Sequence, residues 1–366
     1  MQYLHGGDIY RNAVEYDFSI NVNPLGMPPE CIRAANEGIL LSASRYPDYK
    51  GEALCQALAE KEEIQKEQIS LGNGAAELIY GLCQFLRPHR GKMAAPSFQE
   101  YERALESVGA ELVFWDLCEE DDFAVPELFA ESVQGEEDII FLCNPNNPTG
   151  CVVEKSLLQK IAMKCEAAGT YLCIDECFLP FLGAGWEKKY SMIRELEEYP
   201  HLVVLRAFTK IYGMPGLRMG YICSADKNLL EGIRSVLQPW NTSIPAQMAA
   251  VAALQCDSYL AETYKLMERE KEYLKKELLD SLVKKIYPSE GNFLFFTGCR
   301  DLKERLLEKK ILIRSCGDFR NLSEGYFRIA VRTHGENEVL IRRWRELLRG
   351  DGGIYGKSDY DTGDDV

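Results

Sequence analysis

From Lys92 to Phe208, short apolar runs alternate with helical patterns, and no other feature of the chain constrains its fold as strongly. KMAA, AELVFWD, DIIFLCN, TYLCIDE and HLVVLRAF read as buried strands, with helical stretches from about Phe98 and from about Lys155 to Ala168 among them. Strands recurring in this way need crossover connections. The chain therefore reads as α/β, with a mainly parallel sheet covered by helices on both faces. The pattern starts earlier, where Ile69-Ser70-Leu71 runs into a Gly72-Asn73-Gly74 turn and a helix from Ala75 to Phe85 with Leu78, Ile79, Leu82 and Phe85 on one side.

At 366 residues and 46% hydrophobic content the chain is long enough for two domains with a packed core. The 42 basic residues against 57 acidic leave a net charge of −15, which repels nucleic acid and anionic membrane surfaces, so any anionic ligand must be held by local arginines. Thirteen cysteines without a regular framework fit free thiols in a reducing cytosol, and the closest pair, Cys173 and Cys177, lacks the second pair or histidine that a zinc site needs. With no leader-like start and no membrane-length apolar run, a cytoplasmic protein is expected.

Ligands of open α/β sheets bind at the carboxyl ends of strands. Three such ends carry polar groups here: Asn144 to Gly150 (NPNNPTG) after DIIFLCN, Asp175-Glu176 after YLCI, and Thr209-Lys210 after the run Leu202 to Leu205. A lysine in partly apolar surroundings can lose its proton and attack a carbonyl. Arg218 follows on the same loop, beyond Gly213, Pro215 and Gly216, and the Gly74, Ala75 and Ala76 amides would point at an anion with the positive helix end behind them. A Schiff-base lysine, a phosphate cradle, a carboxylate for a protonated pyridine nitrogen and an amide for a phenolic oxygen are what pyridoxal 5'-phosphate requires. Each residue alone also fits a plainer role. Lys210 could cap a strand at the surface, the glycine turn could start a helix with nothing bound, His5 could be an ordinary surface histidine or a cation for a phosphate, and Asn21 and Asn23 could be turn formers or ligand contacts.

NPNNPTG, the IDE triplet and TKIYGMPGLRMGY, in that order, resemble fold type I pyridoxal-phosphate enzymes of the histidinol-phosphate aminotransferase group, over about residues 3–348. The flanks narrow the likeness. HGGD with DFSINVNPLG, and KKILIRSCGDF with GYFRIAVRTHGENE, are similar to the threonine-phosphate decarboxylases of cobalamin biosynthesis. The resemblance implies a seven-stranded-type sheet, with Lys210 as the Schiff-base residue, Asp175 on the ring nitrogen and Asn147 on the ring hydroxyl. It places Arg218, Thr209 and the Gly74, Ala75 and Ala76 amides at the cofactor phosphate, and Phe98 stacked on the ring beside Phe178. Many aminotransferases have a tyrosine where Phe178 stands, and many relatives carry a hydroxyl where Ala207 stands. Tyr46, in RYP, corresponds to a tyrosine reaching a neighbour's cofactor phosphate, which implies a homodimer with shared sites. Arg328 and Arg314, with His5 and Asn21, fall on the substrate side.

The implied division is an N-terminal arm (1–28), a large cofactor-binding domain (29–245), an interdomain helix with a small C-terminal α+β domain (246–350), and an acidic tail (351–366). Within the third part a helical tract from about Ala246 to Lys285 precedes strands NFLFF, ILIRS and YFRIAV and a closing helix. The implied reaction is decarboxylation of L-threonine O-3-phosphate, a small phosphorylated amino acid, to (R)-1-amino-2-propanol O-2-phosphate. Histidinol-phosphate transamination and serine-phosphate decarboxylation are the alternatives. A ligand-sensing domain of a transcription regulator is the reading from another class, opposed by the acidity of the chain and by motifs that begin at His5.

Overall fold

In the computed structural model, which describes residues 5–278 and 282–350, a seven-stranded sheet runs in the order Ile69–Gly72, Gly220–Ser224, Leu202–Ala207, Tyr171–Asp175, Ile139–Cys143, Arg90–Ala95, Glu111–Asp116. Every strand points the same way except Gly220–Ser224, which is antiparallel to both its neighbours. The mainly parallel expectation holds. Ile139–Cys143 and Leu202–Ala207 are buried along their whole length, as strands covered on both faces must be. Alternation divides their side chains: Ile139, Phe141 and Cys143 pack with Leu78, Ile79 and Leu82 of the helix Ala75–Leu86, while Ile140 and Leu142 pack with Leu158 and Ile161 of the helix Lys155–Ala168.

Register decides where the polar strand ends meet. Cys143 pairs with Asp175, and Asp175 with Leu205. NPNNPTG, Asp175 and the Thr209-Lys210 segment therefore leave the sheet along one edge.

The smaller C-terminal domain carries a four-stranded sheet ordered Arg314–Ser315, Tyr326–Ala330, Phe293–Gly298, Val283–Ile286, closed by the helix His334–Gly350. Two expectations are corrected here. The helical tract from Ala246 to Lys285 is two helices, Ile244–Ala253 and Asp257–Leu278, and its end, Val283–Ile286, is a strand. Their compositions differ for a physical reason: the Ala-rich first helix is buried against Pro29–Ser42, and only the second carries the Glu/Lys-dense amphipathic pattern. ILIRS does not act as one strand. Ile311–Leu312 pairs in parallel with Tyr16–Asp17 of the N-terminal segment, and only Arg314–Ser315 joins the small sheet. Finally, Gly220–Ser224 is a strand hidden in the sequence behind the loop motif that precedes it.

The N-terminal segment is tied to both halves. The Phe18 amide donates to the Leu312 carbonyl at 2.8 Å, and the Ala330 amide donates to the Phe18 carbonyl at 2.8 Å. Asn23 anchors the other side, its amide donating to the Lys210 carbonyl at 3.0 Å and its Nδ2 to Ile211 O and Thr263 Oγ1. The acidic tail lies outside the described residues. Among the described residues no helix is long and apolar enough to cross a membrane.

Candidate active site

A cleft of about 490 Å³ opens at the carboxyl edge of the large sheet, between that sheet, the N-terminal segment and the small sheet. That is the size of a pocket for a small organic ligand. Its floor contains Asn147, Asp175, Thr209 and Lys210; Ala75, Ala76 and Arg218 line one side, and His5, Asn21, Arg314 and Arg328 another. Phe98 and Phe178 also line it. Residues spread over most of the sequence thus converge on one space, as the strand-end argument requires.

Asp175 is 5% exposed, and its carboxyl accepts from the Tyr101 hydroxyl at 2.8 Å on Oδ2 and from the Cys177 amide at 2.9 Å on Oδ1. Burial pushes its pKa up, while the Cys177 and Tyr101 donors and the charge of Lys210 pull it back. Lys210, half-buried, is moved the opposite way. Burial lowers its pKa from 10.5 to about 8, assisted by the positive charge of Arg328. The result is an amine that is substantially unprotonated in mildly alkaline water, beside a carboxylate held by fixed donors.

The loop NPNNPTG divides its labour. Asn144 bonds Val153 through both side-chain atoms, and Asn146 bonds Ser97 Oγ, Pro96 O and Thr149 Oγ1, so these two build the loop. Asn147 is different: its Oδ1 accepts from Arg328 Nη1, and its Nδ2 has no partner among the described residues. Arg328, 6% exposed, also donates from Nη2 to the Ser19 carbonyl at 2.7 Å, while its buried Nε has no partner among the described residues. Burial, with the nearby charge of Arg314, lowers its pKa from 12.5 to about 10. Asn21, 3% exposed, likewise has a buried Oδ1 with no partner among the described residues. Orphaned polar atoms of this kind normally await a ligand or water.

The phosphate cradle is narrower than the sequence suggests. Gly74 precedes the helix Ala75–Leu86 with φ 82° and no side-chain cap, but its own amide is taken, donating to Gly72 O at 2.8 Å. The first-turn amides, beginning with Ala75 and Ala76, remain for an anion. Arg218 stands against this turn: a Cβ on Gly74 would fall 2.2 Å from its Nη2. Glycine is required there both for the backbone angle and for the guanidinium's approach.

Tyr46 is not brought into the cleft; it is 74% exposed and stacks on Trp240 with centroids 4.5 Å apart. His5 reaches the cleft mouth, its Nε2 3.0 Å from Glu100 Oε1. Glu176, the last residue of the IDE triplet, is buried away from the site in an ion-pair cluster with Arg206 and Glu62. Tyr101, Glu100, Arg103 and Phe319 were not legible as site residues. An acid at the start of a helix with an arginine three residues on reads as a solvated, dipole-satisfying pair, and Tyr101 reads as core. Among the described residues no cluster of His, Cys, Asp and Glu is arranged to hold a metal ion.

The chain matches the family model for aminotransferase class I and II over residues 14–343. It is 36% identical over 357 residues to threonine-phosphate decarboxylase from Salmonella typhimurium, covering 94% of this chain and 97% of the relative. Among solved structures it is similar to histidinol-phosphate aminotransferase from Clostridium acetobutylicum, with TM-score 0.85 and 28% identity over 92% of this chain and 99% of that one. It is also similar to L-threonine-O-3-phosphate decarboxylase from Porphyromonas gingivalis, with TM-score 0.77 and 25% identity over 91% of this chain and 99% of that one.

Proposed function

This chain belongs to the aminotransferase class I and II family, and on that footing we propose that it uses pyridoxal 5'-phosphate to decarboxylate L-threonine O-3-phosphate, releasing CO2 and (R)-1-amino-2-propanol O-2-phosphate. The residues of the cleft fit the cofactor. The Ala75 and Ala76 amides, Arg218 and Thr209 would hold its phosphate, Asp175 its ring nitrogen, Asn147 Nδ2 its ring oxygen and Phe98 one ring face. Once bound, the cofactor supplies an electron sink for a bond broken at the substrate Cα.

The protein's own part is to choose that bond. Burial pushes Asp175 toward its neutral form, and the Tyr101 and Cys177 donors with the charge of Lys210 oppose that, favouring the carboxylate that would pair with the ring nitrogen. Arg328 is fixed by Asn147 and Ser19, so a substrate carboxylate gripped by it is held in one orientation. Lys210, with its lowered pKa, accepts or returns a proton at Cα. When the Cα–carboxylate bond breaks, CO2 leaves and the proton delivered to Cα completes the amine.

The observation that carries the substrate assignment is a second group of cations along the cleft, each shared with a carboxylate of the protein. After Arg218 is assigned to the cofactor and Arg328 to a carboxylate, Arg314, Arg103 and His5 remain along the same cleft. A second, phosphorylated end accounts for them. Identity to the Salmonella relative over nearly the whole chain supports the same reading. We further propose a homodimer in which Tyr46 reaches the neighbouring cofactor phosphate; exposed Ile39, Leu40 and Tyr46, with Leu40 76% and Tyr46 74% exposed, offer an apolar face for it.

The test is a panel. Purified protein with the cofactor is given threonine phosphate, serine phosphate, or histidinol phosphate with a 2-oxo acid, and CO2 and amine products are measured. Release of CO2 from threonine phosphate is expected. Turnover of histidinol phosphate alone would instead assign an aminotransferase, the activity in the name of the Clostridium neighbour.

A further inference from the structure

Two carboxylates at the anion-binding end of the cleft have no part in that reaction. Glu100 lines the wall with its side chain 10% exposed, and Asp318 stands behind Arg314 with its side chain 23% exposed. Each occupies a cation. Glu100 Oε1 lies 3.0 Å from both His5 Nε2 and Arg103 Nη1, and its Oε2 accepts from the Tyr80 hydroxyl at 3.2 Å. Asp318 Oδ2 accepts from Arg314 Nη2 at 2.8 Å, and its Oδ1 is buried without a partner among the described residues. The cations assigned to the cofactor phosphate and the substrate carboxylate are bonded otherwise: among the described residues, Arg218 and Arg328 donate to carbonyl and amide oxygens.

The cleft therefore holds two kinds of arginine: those with no carboxylate partner among the described residues at the cofactor and carboxylate positions, and carboxylate-paired ones where the substrate's far end would lie. A cation already paired with a carboxylate gains little by exchanging it for another single negative charge, because separating a shielded pair has its own desolvation cost. A phosphate carries about −1.5 to −2 at neutral pH and three strong acceptor oxygens, so it can engage several cations at once. His5 and Arg103 sit 3.4 Å apart with Glu100 between them. Without its charge they would form an anion site that takes whatever arrives.

We propose that Glu100 and Asp318 are positioning residues that set the charge selectivity of the cleft, holding His5, Arg103 and Arg314 as occupied cations that yield to a dianion and not to a monoanion. The inference rests on the substrate reading above, since it assumes that the phosphorylated end of the substrate lies at these cations.

The probe is a matched pair: L-threonine O-phosphate and L-threonine O-sulfate have the same shape, and the sulfate ester is a monoanion. Binding of each to the cofactor-loaded protein is read from the change in visible absorbance. In the unaltered protein the phosphate ester is preferred. Glu100→Gln keeps the shape and the Tyr80 contact but removes the charge; affinity for the sulfate ester should rise by at least about tenfold, with a smaller change for the phosphate ester, so that the preference collapses. Asp318→Asn should act in the same direction, which guards against one substitution failing to fold, and a merely structural role would weaken both esters together. An unchanged preference in both variants, with threonine phosphate still binding the unaltered protein, overturns this proposal alone. If the unaltered protein binds neither ester, the substrate reading falls and this inference with it.

Discussion

The Tyr101 hydroxyl donates to Asp175 Oδ2 at 2.8 Å, in a site where the carboxyl is otherwise pushed toward its neutral form by burial. Among the described residues, the Tyr101 hydroxyl and the Cys177 amide are the hydrogen-bond donors to that carboxyl, and the charge of Lys210 assists them. Tyr101→Phe removes one without altering ring packing against Phe141, with which it stacks at 5.0 Å. The Asp175 pKa should then rise further, so the acid limb of the kcat profile moves to higher pH and kcat falls by about tenfold, the value of one hydrogen bond to a charged group. A pH–rate series on the two proteins checks this; a shift toward lower pH would contradict it.

Lys210 gives a pH dependence of the opposite kind. Its pKa in the cofactor-free protein is about 8, below the roughly 10.4 of an unfolded lysine. Between these values the unfolded chain holds more protons, so this group's contribution to stability improves as pH rises through that window. Below about 8 the partly desolvated ammonium is destabilising. Cofactor-free Lys210→Met should accordingly be more stable than the unaltered protein at pH 7, and the advantage should shrink by pH 10, as measured by urea unfolding. The same variant should not form the yellow, covalently held cofactor.

Gly74→Ala tests the cradle. The new Cβ would meet Arg218 at 2.2 Å and would sit on a backbone with φ 82°, so either the turn or the guanidinium must move. Cofactor affinity should fall by about tenfold or more while circular dichroism is preserved, corresponding to roughly 1.4 kcal/mol or more. Unchanged affinity, read by equilibrium dialysis, would remove Arg218 and this turn from the phosphate site.

Tyr46 makes a prediction that a single chain cannot satisfy. It lies on the surface, stacked on Trp240, away from the cleft. If two subunits complete each other's sites, mixing inactive Tyr46→Ala with inactive Lys210→Ala should restore up to about a quarter of the activity through hybrid dimers. A monomeric, fully active species in sedimentation equilibrium is the contrary result.

Much of this architecture was legible because strand ends in a parallel sheet are ordered by sequence: Asn147, Asp175 and Lys210 each follow an apolar run, and register brings those runs level. Arg328 and Arg314 came from resemblance, since nothing in FRIAVR or ILIRSC distinguishes a buried ligand arginine from an edge-strand one. Tyr101, Glu100 and Arg103 were hidden by the ordinary chemistry of a helix start, where acids favour the dipole and an apolar-faced tyrosine belongs to the core. The engagement of the Gly74 amide within its own turn was not legible, because composition does not show which donors a tight turn satisfies. The break at Leu254 to Cys256 left no proline or glycine signal, so the two helices read as one.

The central claim is that the bond broken is the one from Cα to the carboxylate. L-Threonine O-3-phosphate labelled with 13C at the carboxyl group, incubated with the cofactor-loaded protein and no 2-oxo acid, should release labelled CO2 and 1-amino-2-propanol O-2-phosphate in equal amounts over many turnovers. Retention of the label in a 2-oxo acid product, with turnover that stops after one equivalent until an amino acceptor is added, would contradict it.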